Sequence, residues 1–153
     1  MSNHDYNDAT DDPLKLMGQA YRAFTRIVDA PLRDLGFAMG QLPVLVALKK
    51  RQALPQSELA RIARVEQSSM AQLLNRMERD GLIERVPDPN DKRSRLISLT
   101  SAASRQMPKG KAIMDATCEI ALAGFNPKEV DQLAALMARI NANLQKAADE
   151  LVS

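Results

Sequence analysis

The sequence predicts a mainly helical fold of the α+β class, in which helices surround one short β-hairpin. Aromatic residues make up only 3% of the chain and Trp is absent, while Ala, Leu and Met abound. This composition favours helices packed by aliphatic side chains over a β-sandwich or barrel. Apolar residues recur at helical spacing near both ends, and two β-prone runs joined by a turn-rich segment lie between them. We therefore expect long terminal helices flanking a compact central module.

Length and composition exclude several classes of protein. With 153 residues, 45% of them apolar and 26% charged, the chain can bury one globular core. No stretch approaches the roughly 20 uninterrupted apolar residues of a membrane span, and the acidic start lacks the features of a signal peptide. We expect a cytoplasmic protein with a disordered segment at 1–11 and no membrane partner. The chain has one cysteine, Cys118, and one histidine, His4, which are too few for the usual Cys/His zinc clusters, so no metal or other cofactor is predicted.

The first long helix is predicted to begin after Asp12 and to end near Leu35. Asp12 is a good N-cap because Pro follows it at the first helical position, and Gly36 is placed to end the helix. Pro31 predicts a kink or break near Ala30, because proline lacks the backbone N–H. A second, shorter helix fits residues 40–50. The apolar residues of the first helix that recur at helical spacing are Leu14, Met17, Tyr21, Phe24 and Val28.

The C-terminal part contains two further long helices. Asn126 and Glu129 form a capping box with Pro127 in the first turn, which predicts a helix start. The apolar residues that follow alternate steps of four and three, a heptad pattern. The preceding helix has a similar stripe that includes Cys118, with Pro108 as a predicted kink. The heptad residues are Val130, Leu133, Met137, Ile140, Leu144, Ala147 and Leu151.

These terminal helices, residues 12–35 and 101–152, are predicted to form a homodimer. An intrachain core could cover part of their apolar faces, but a second copy of the chain is the simplest partner for the rest. The residues assigned to this dimerisation surface are Leu14, Met17, Val130, Leu133, Met137, Ile140 and Leu144.

Residues 36–100 form the central module, which contains a predicted helix-turn-helix. One helix covers residues 56–63, a brief interruption follows at residues 64–66, and a new helix begins at Gln67 and ends before Gly81. The exposed face of this second helix bears hydroxyl, amide and guanidinium groups, which are the types that contact base edges and phosphates. A polar face could also simply meet water. The candidate residues are Gln67, Ser68, Ser69, Gln72, Asn75 and Arg76.

A two-stranded wing is predicted directly after this helix. Residues 82–86 and 96–99 are β-prone, and the segment at 87–95 between them is basic and rich in turn residues. An exposed Arg on a narrow hairpin suits the electronegative minor groove of DNA. We expect Asp91 to hold the Arg93 side chain in a bidentate pair. The candidate wing residues are Asp91, Lys92, Arg93, Ser94 and Arg95.

The distribution of charge agrees with a polyanionic partner. The net charge is only +2, yet residues 49–111 contain 14 basic and 7 acidic residues, an excess of seven positive charges. Residues 1–48 and 112–153 are each slightly acidic. Such a basic stretch can be a merely solvated surface, but here it coincides with the predicted helix-turn-helix and wing. Double-stranded DNA is therefore the predicted partner.

Several motifs in this module resemble the signature of the MarR family of bacterial transcription regulators. They are Glu58-Leu59-Ala60, the run from Glu78 to Arg85, the segment from Asp88 to Arg93, and Leu99-Thr100. The resemblance covers essentially the whole chain. It implies a winged helix-turn-helix dimer that binds a pseudo-palindromic operator, with a recognition helix from Gln67 and a minor-groove contact by Arg93, together with Arg95. Repression is the default mode of regulation.

The chain departs from the family pattern at three places. Arg64 stands where the turn often contains Gly, and Ala103 stands where Gly often follows the Leu-Thr pair. No cysteine lies near the N-terminus, where oxidant-sensing members commonly have one. Cys118 is interpreted as a buried small apolar residue rather than a redox switch.

The resemblance also implies a small aromatic or anionic effector, bound between the dimerisation helices and the winged module. The same aromatic and Met residues could equally be ordinary core. The candidate effector-binding residues are Tyr21, Arg22, Phe24, Phe37, Met39 and Leu42, with Arg26 as a further counter-charge.

Two other functional classes were compared with this interpretation. An enzyme is excluded because the sequence offers no pairing of nucleophile and base, no useful His and no Gly-rich phosphate loop. A winged helix that binds a protein partner is the stronger alternative, since a fold does not dictate function. The two are distinguished by Arg93→Ala, which weakens binding only if the ligand is DNA.

Overall fold

The computed structural model describes residues 12–152, and the predicted disorder of residues 1–11 lies outside this range. The fold is mainly helical with a small antiparallel sheet, as predicted. The helices are α1 (Pro13–Asp34), α2 (Leu42–Arg51), α3 (Gln56–Ala63), α4 (Gln67–Arg79), α5 (Ser101–Ala121) and α6 (Pro127–Val152), with a 3-10 turn at Met39–Gln41. The strands are β1 (Ala53–Leu54), β2 (Ile83–Asp88) and β3 (Asp91–Leu99). None of the helices in the described part of the chain combines the length and apolarity of a membrane-spanning segment.

Helix α1 begins and ends where its capping residues predict. The Asp12 carboxylate accepts a hydrogen bond from the backbone N–H of Leu14 at 2.9 Å, and Gly36 adopts a left-handed φ of +87° after the last turn. A kink or break was predicted near Pro31, and of these two alternatives the break is wrong, because α1 continues through Pro31 without interruption. Val28 and Leu32 on either side of Pro31 are fully buried. Their packing outweighs the one backbone hydrogen bond that proline removes.

One further helix, α2, differs slightly from the prediction, and α5 is continuous through the proline at which a kink is predicted. The second helix starts at Leu42 rather than Gly40, since a 3-10 turn over Met39–Gln41 precedes it and Pro43 occupies its first turn. Helix α5 likewise runs through Pro108 as one element. A proline in an exposed position of a long helix costs one hydrogen bond, and the neighbouring turns retain theirs.

The core of the winged module joins every helix from α1 to α4 to the sheet. Fully burying an aliphatic side chain stabilises a fold by about 1.5–3 kcal/mol relative to leaving it exposed. The core therefore fixes α4 firmly against the rest of the module. Its largest fully buried residues are Val28, Leu32, Val44, Leu45, Leu48, Leu59, Met70, Leu74, Met77, Ile83 and Ile97.

The sheet has three antiparallel strands in the order β1-β3-β2, and its wing is longer than predicted. Strand β1 pairs Ala53 with Ser98 and Leu54 with Ile97, a short strand that the sequence analysis did not predict. Strands β2 and β3 extend into the segment predicted as a loop, so that only residues 89 and 90 form the tip. The regular register runs from Ile83 opposite Leu99 to Pro87 opposite Arg95 and then shifts. This shift places residues 92–94 of β3 between the last two pairs, an irregularity of the β-bulge type.

The turn between α3 and α4 uses a non-glycine residue in a left-handed conformation. Arg64 has a φ of +56°, and the N–H of Val65 bonds to the carbonyl of Ala60 at 3.1 Å across the helix end. This is the hydrogen-bonding pattern that glycine usually supports at a helix C-terminus. The absence of Gly at this position therefore does not change the turn.

Thr100 joins the wing, the end of α4 and the start of α5. Its hydroxyl donates a hydrogen bond to the carbonyl of Gly81 at 2.7 Å and accepts one from the N–H of Ala103 at 3.1 Å. The second bond satisfies a donor in the first turn of α5. Gly81, with a φ of +75°, ends α4 as predicted. The Leu-Thr motif thus has a structural explanation, because one hydroxyl fixes where two helices meet.

Replacing Thr100 by Val is expected to lower the free energy of unfolding by about 1–2 kcal/mol, because both hydrogen bonds are lost from a side chain of nearly the same shape. Urea unfolding at a fixed protein concentration measures this change. Thr100→Ser keeps the hydroxyl and serves as the control, with an expected loss below about 0.5 kcal/mol. Equal stability of the Val and Ser variants would contradict the assigned role.

The chain separates into two compact units, one ending at Thr117 and the other beginning at Cys118. In the second unit the predicted capping box is present, since the N–H of Asn126 bonds to Glu129 at 3.1 Å and the N–H of Glu129 bonds to Asn126 at 2.9 Å. Helix α6 contains no buried residue.

The prediction that Cys118 is buried is wrong, because this residue is exposed. A helical stripe indicates which residues share a face and not whether another element covers it.

Candidate nucleic-acid interface

Helix α4 has one buried and one polar face, as the spacing of its apolar residues predicts. Met70, Leu74 and Met77 are fully buried and anchor the helix to the core. The opposite face presents polar side chains to solvent, and all six residues predicted to contact DNA are exposed. Hydroxyl, amide and guanidinium groups can donate to and accept from base edges and phosphates.

The N-terminal turn of α4 is held in place by α3. The Gln56 amide nitrogen lies 3.3 Å from the carbonyl oxygen of Gln67 and 3.2 Å from its side-chain oxygen. This contact joins the first turns of the two helices. The beginning of a helix carries a positive partial charge and backbone N–H groups without intrahelical partners, which favours a nearby phosphate. The N-terminus of α4 is therefore held in a fixed position beside the polar face and is suited to a nearby anion.

A cluster of charged residues lies at the outer side of α3. The Glu58 carboxylate contacts Arg61 at 2.5 Å and Arg51 at 3.3 Å. Chiefly the hydrogen bond from Arg61 lowers the pKa of Glu58 below its usual value, and the same contact raises the pKa of Arg61. Two cations share one carboxylate, so the cluster keeps an excess of positive charge next to the helix-turn-helix.

The wing presents its basic residues at and beside the bulge. Lys92, Arg93 and Arg95 are exposed, and Ser94 is half-buried. The predicted bidentate pair between the side chains of Asp91 and Arg93 is not found. Asp91 instead accepts a hydrogen bond from the backbone N–H of Arg93 at 2.9 Å. The contact shapes the backbone of the tip, as short acidic side chains commonly do in turns, and leaves the guanidinium exposed.

One residue beside the polar face of α4, Arg85 on β2, was not among the predicted site residues. Its two terminal nitrogens contact two residues of α4, Glu78 at 2.6 Å and Asn75 at 3.0 Å. Asn75 is one of the predicted DNA-contacting residues. The contacts span a helix, a turn and a strand, so no periodicity in the sequence indicates them.

The predicted effector-binding residues lie in two different surroundings in the described part of the chain. Tyr21 and Arg22 line an open groove along α1 together with Arg26. Phe37 is only 3% exposed and belongs to the core, where its ring lies against Gly110 of α5. Phe24, Met39 and Leu42 are partly buried against the same core. The structure therefore brings together two of the six predicted residues at a surface groove.

None of the predicted dimerisation residues is buried within the described part of the chain. Leu14 is 53% exposed on α1, and Leu133 and Leu144 are 42% and 52% exposed on α6. Met17, Val130, Met137 and Ile140 are half-buried. In the part of the chain that the structure describes, no three metal-ligating side chains lie together. The polar face of α4 is joined to α3 through Gln56 and to strand β2 of the wing through Arg85.

Comparison with known proteins shows which families and structures these features are similar to. The sequence profile of the MarR family matches residues 37–94. A Bacillus subtilis (strain 168) protein, the uncharacterized HTH-type transcriptional regulator YybA, is 26% identical over 135 residues, which cover 88% of this chain and 90% of that protein.

Solved structures show the same fold. A MarR family transcriptional regulator from Listeria monocytogenes, crystallised with a 26mer DNA, superposes with a TM-score of 0.78 at 24% identity, covering 89% of this chain and 91% of that one. The transcriptional regulator SlyA superposes with a TM-score of 0.79 at 25% identity, covering 89% and 96% of the two chains. The likeness extends well beyond the winged module, to most of the helices at either end of the chain.

Proposed function

We propose that this chain, which belongs to the MarR family of winged helix-turn-helix transcriptional regulators, binds a pseudo-palindromic operator as a homodimer and represses transcription. The family consists of regulators and not of enzymes, in agreement with the sequence analysis. The observation that carries the proposal is the polar face of α4, exposed and rigidly backed by a buried apolar face, beside a wing with exposed Arg93 and Arg95.

The proposed binding mode follows from the sizes of the elements. A helix fits the major groove of B-DNA, and the N-terminal residues of α4 are the ones expected to meet base edges. The narrow wing suits the adjacent minor groove, whose negative potential attracts Arg. The Listeria monocytogenes relative crystallised with DNA supports DNA as the ligand here.

A homodimer is supported by the uncovered apolar residues of the terminal helices. Helix α6 has a heptad pattern and no buried residue, so its apolar side chains need a partner. A two-fold dimer is the commonest solution for such a surface. Two copies of α4 would then enter successive major grooves about 34 Å apart on one side of the duplex.

The proposal includes a small-molecule effector that binds at the first helix. The groove on α1 contains an aromatic ring, Tyr21, and two cations, Arg22 and Arg26, a combination that suits a small aromatic anion. Such a ligand would release the operator only if it bound the DNA-incompetent shape of the dimer more tightly.

Fluorescence anisotropy tests the proposed function directly. A labelled duplex from the intergenic DNA upstream of this gene is titrated with protein at two salt concentrations, with a scrambled duplex as competitor. We expect tight binding at two chains per duplex that resists the competitor and weakens steeply with salt, because Lys and Arg release counterions. Selection of duplexes from a random library extends the test to operators located elsewhere. Equal, weak binding to every duplex would favour a protein partner instead.

A further inference from the structure

We propose that Arg85 is a positioning residue that sets the sequence preference of α4 by fixing the Asn75 side chain, without contacting DNA itself. The inference rests on the proposed operator binding. Arg85 lies on β2 and reaches across to α4, where it contacts a residue that faces solvent on the predicted DNA-binding surface.

The guanidinium group matches the spacing of its two partners. Asn75 and Glu78 are three residues apart on α4 and therefore lie on the same side, one turn from each other. Arg85 places Nη1 2.6 Å from the Glu78 carboxylate and Nη2 3.0 Å from the Asn75 side-chain oxygen. A planar guanidinium holds two acceptors at once, whereas a lysine ammonium is a single point of charge on a flexible stem. The contacts to Glu78 and to Asn75 are both needed to define the position of the guanidinium group.

This contact determines which group Asn75 offers to DNA. A guanidinium has only donors, so the Asn75 carbonyl oxygen, and not its NH2 group, must face Arg85. The amide nitrogen is then the atom left for an outside partner, and it donates to acceptors such as guanine N7 and O6 or thymine O4. Without Arg85 the amide can rotate and present either its donor or its acceptor. Arg85 therefore narrows what Asn75 recognises.

Arg85 itself is poorly placed to contact a phosphate. Its side chain is 26% exposed, both terminal nitrogens have protein partners, and the Glu78 carboxylate balances its charge. It is paired across the sheet with Ile97, which is 2% exposed, so the two side chains lie on the core side of the wing. Replacing it should leave the number of neutralised phosphates unchanged.

The test uses the full chain and a duplex that the wild-type protein selects from a random library, with a scrambled duplex as reference. For Arg85→Lys we expect the preference for the selected duplex to fall about a hundredfold, which is about tenfold for one base contact in each of the two half-sites. Affinity for the scrambled duplex and the slope of affinity against salt should not change. Arg33→Lys, an exposed arginine of α1 paired with Asp29, is the matched control and should keep the full preference.

The same substitution made in a second variant, Asn75→Ala, distinguishes the positioning of Asn75 by Arg85 from a general loss of structure. In Asn75→Ala, the further change Arg85→Lys should not reduce the preference any more, because the side chain that Arg85 positions is gone. Additive losses, a smaller salt slope or a preserved preference in Arg85→Lys would each overturn the inference. Urea unfolding of Arg85→Lys establishes that the variant is folded. If the wild-type protein selects no sequence at all, the proposed function fails and the inference fails with it, an outcome distinct from a wild-type preference that Arg85→Lys retains.

Discussion

The double substitution Leu133→Glu and Leu144→Glu is expected to convert the protein from a dimer to a monomer and to remove tight operator binding. Both leucines are largely exposed within the chain, at 42% and 52%, so the winged module keeps its own core. A dimer of the variant would bury four unpaired carboxylates, each costing several kcal/mol. The dimer dissociation constant should rise by more than about a thousandfold. Sedimentation equilibrium measures this change.

The loss of operator affinity follows from the loss of the second half-site. A dimer binds its second half-site at a high effective concentration, and a monomer does not, so affinity for a palindromic duplex should fall by about 100-fold or more. The matched control is Ala135→Glu with Ala142→Glu, which adds the same charges to the opposite side of the α6 heptad, at exposed positions. That control should remain a dimer. If the leucine variant also remains a dimer with wild-type affinity, the apolar face of α6 is not the dimer interface.

The helix ends and the architecture were predicted well from residues that lie close to each other in the sequence. The caps at Asp12 and Asn126 and the glycine stops at Gly36 and Gly81 depend only on residues within one turn of each other, which a sequence displays directly. The helix-turn-helix and the wing were also predicted in the observed order, because hydrophobic period and turn composition change clearly between them.

What the sequence did not predict depends on contacts between distant segments. Helix α1 continues through Pro31 because buried neighbours hold it, and burial is a property of the assembled core. Strand β1 has only two residues and exists because β3 is there to pair with it. The register shift in the wing is likewise set by cross-strand pairing rather than by the turn residues alone. Cys118 is exposed for the same reason. The periodicity of a sequence predicts which residues share one face of a helix, but not whether another element packs against that face.

For the candidate site, the sequence indicated residue types but not their partners. The polar residues of α4 and the basic residues of the wing are exposed where expected. The partners of two of them, Gln67 and Asn75, are Gln56 and Arg85, which contact α4 across separations of 7 to 11 residues. The prediction paired Asp91 with the correct residue, Arg93, but with its side chain instead of its backbone N–H. A short carboxylate bonds more easily to a backbone N–H two residues on than to the end of a long arginine side chain.

Arg93→Ala is expected to weaken binding to every duplex, operator and scrambled alike, by about 30-fold or more. Arg93 is exposed at the wing bulge, with its backbone fixed by Asp91 and its guanidinium directed to no carboxylate within the described residues. An arginine contact to DNA contributes about 1–3 kcal/mol, and the dimer contains two wings. The slope of log affinity against log salt should also become shallower by about 2, one for each wing. Anisotropy titrations over a range of salt concentrations measure both quantities.

The comparison with Arg139→Ala makes the result specific to the wing. Arg139 is exposed on α6 outside the heptad positions, so its removal changes the net charge of the protein equally but takes no cation from the proposed interface. We expect the control to retain wild-type affinity and salt slope. A wing that binds a protein partner instead of DNA predicts that Arg93→Ala behaves as the control does. Because long-range attraction depends on total charge and contact depends on position, a difference between the two variants assigns the affinity to the wing itself.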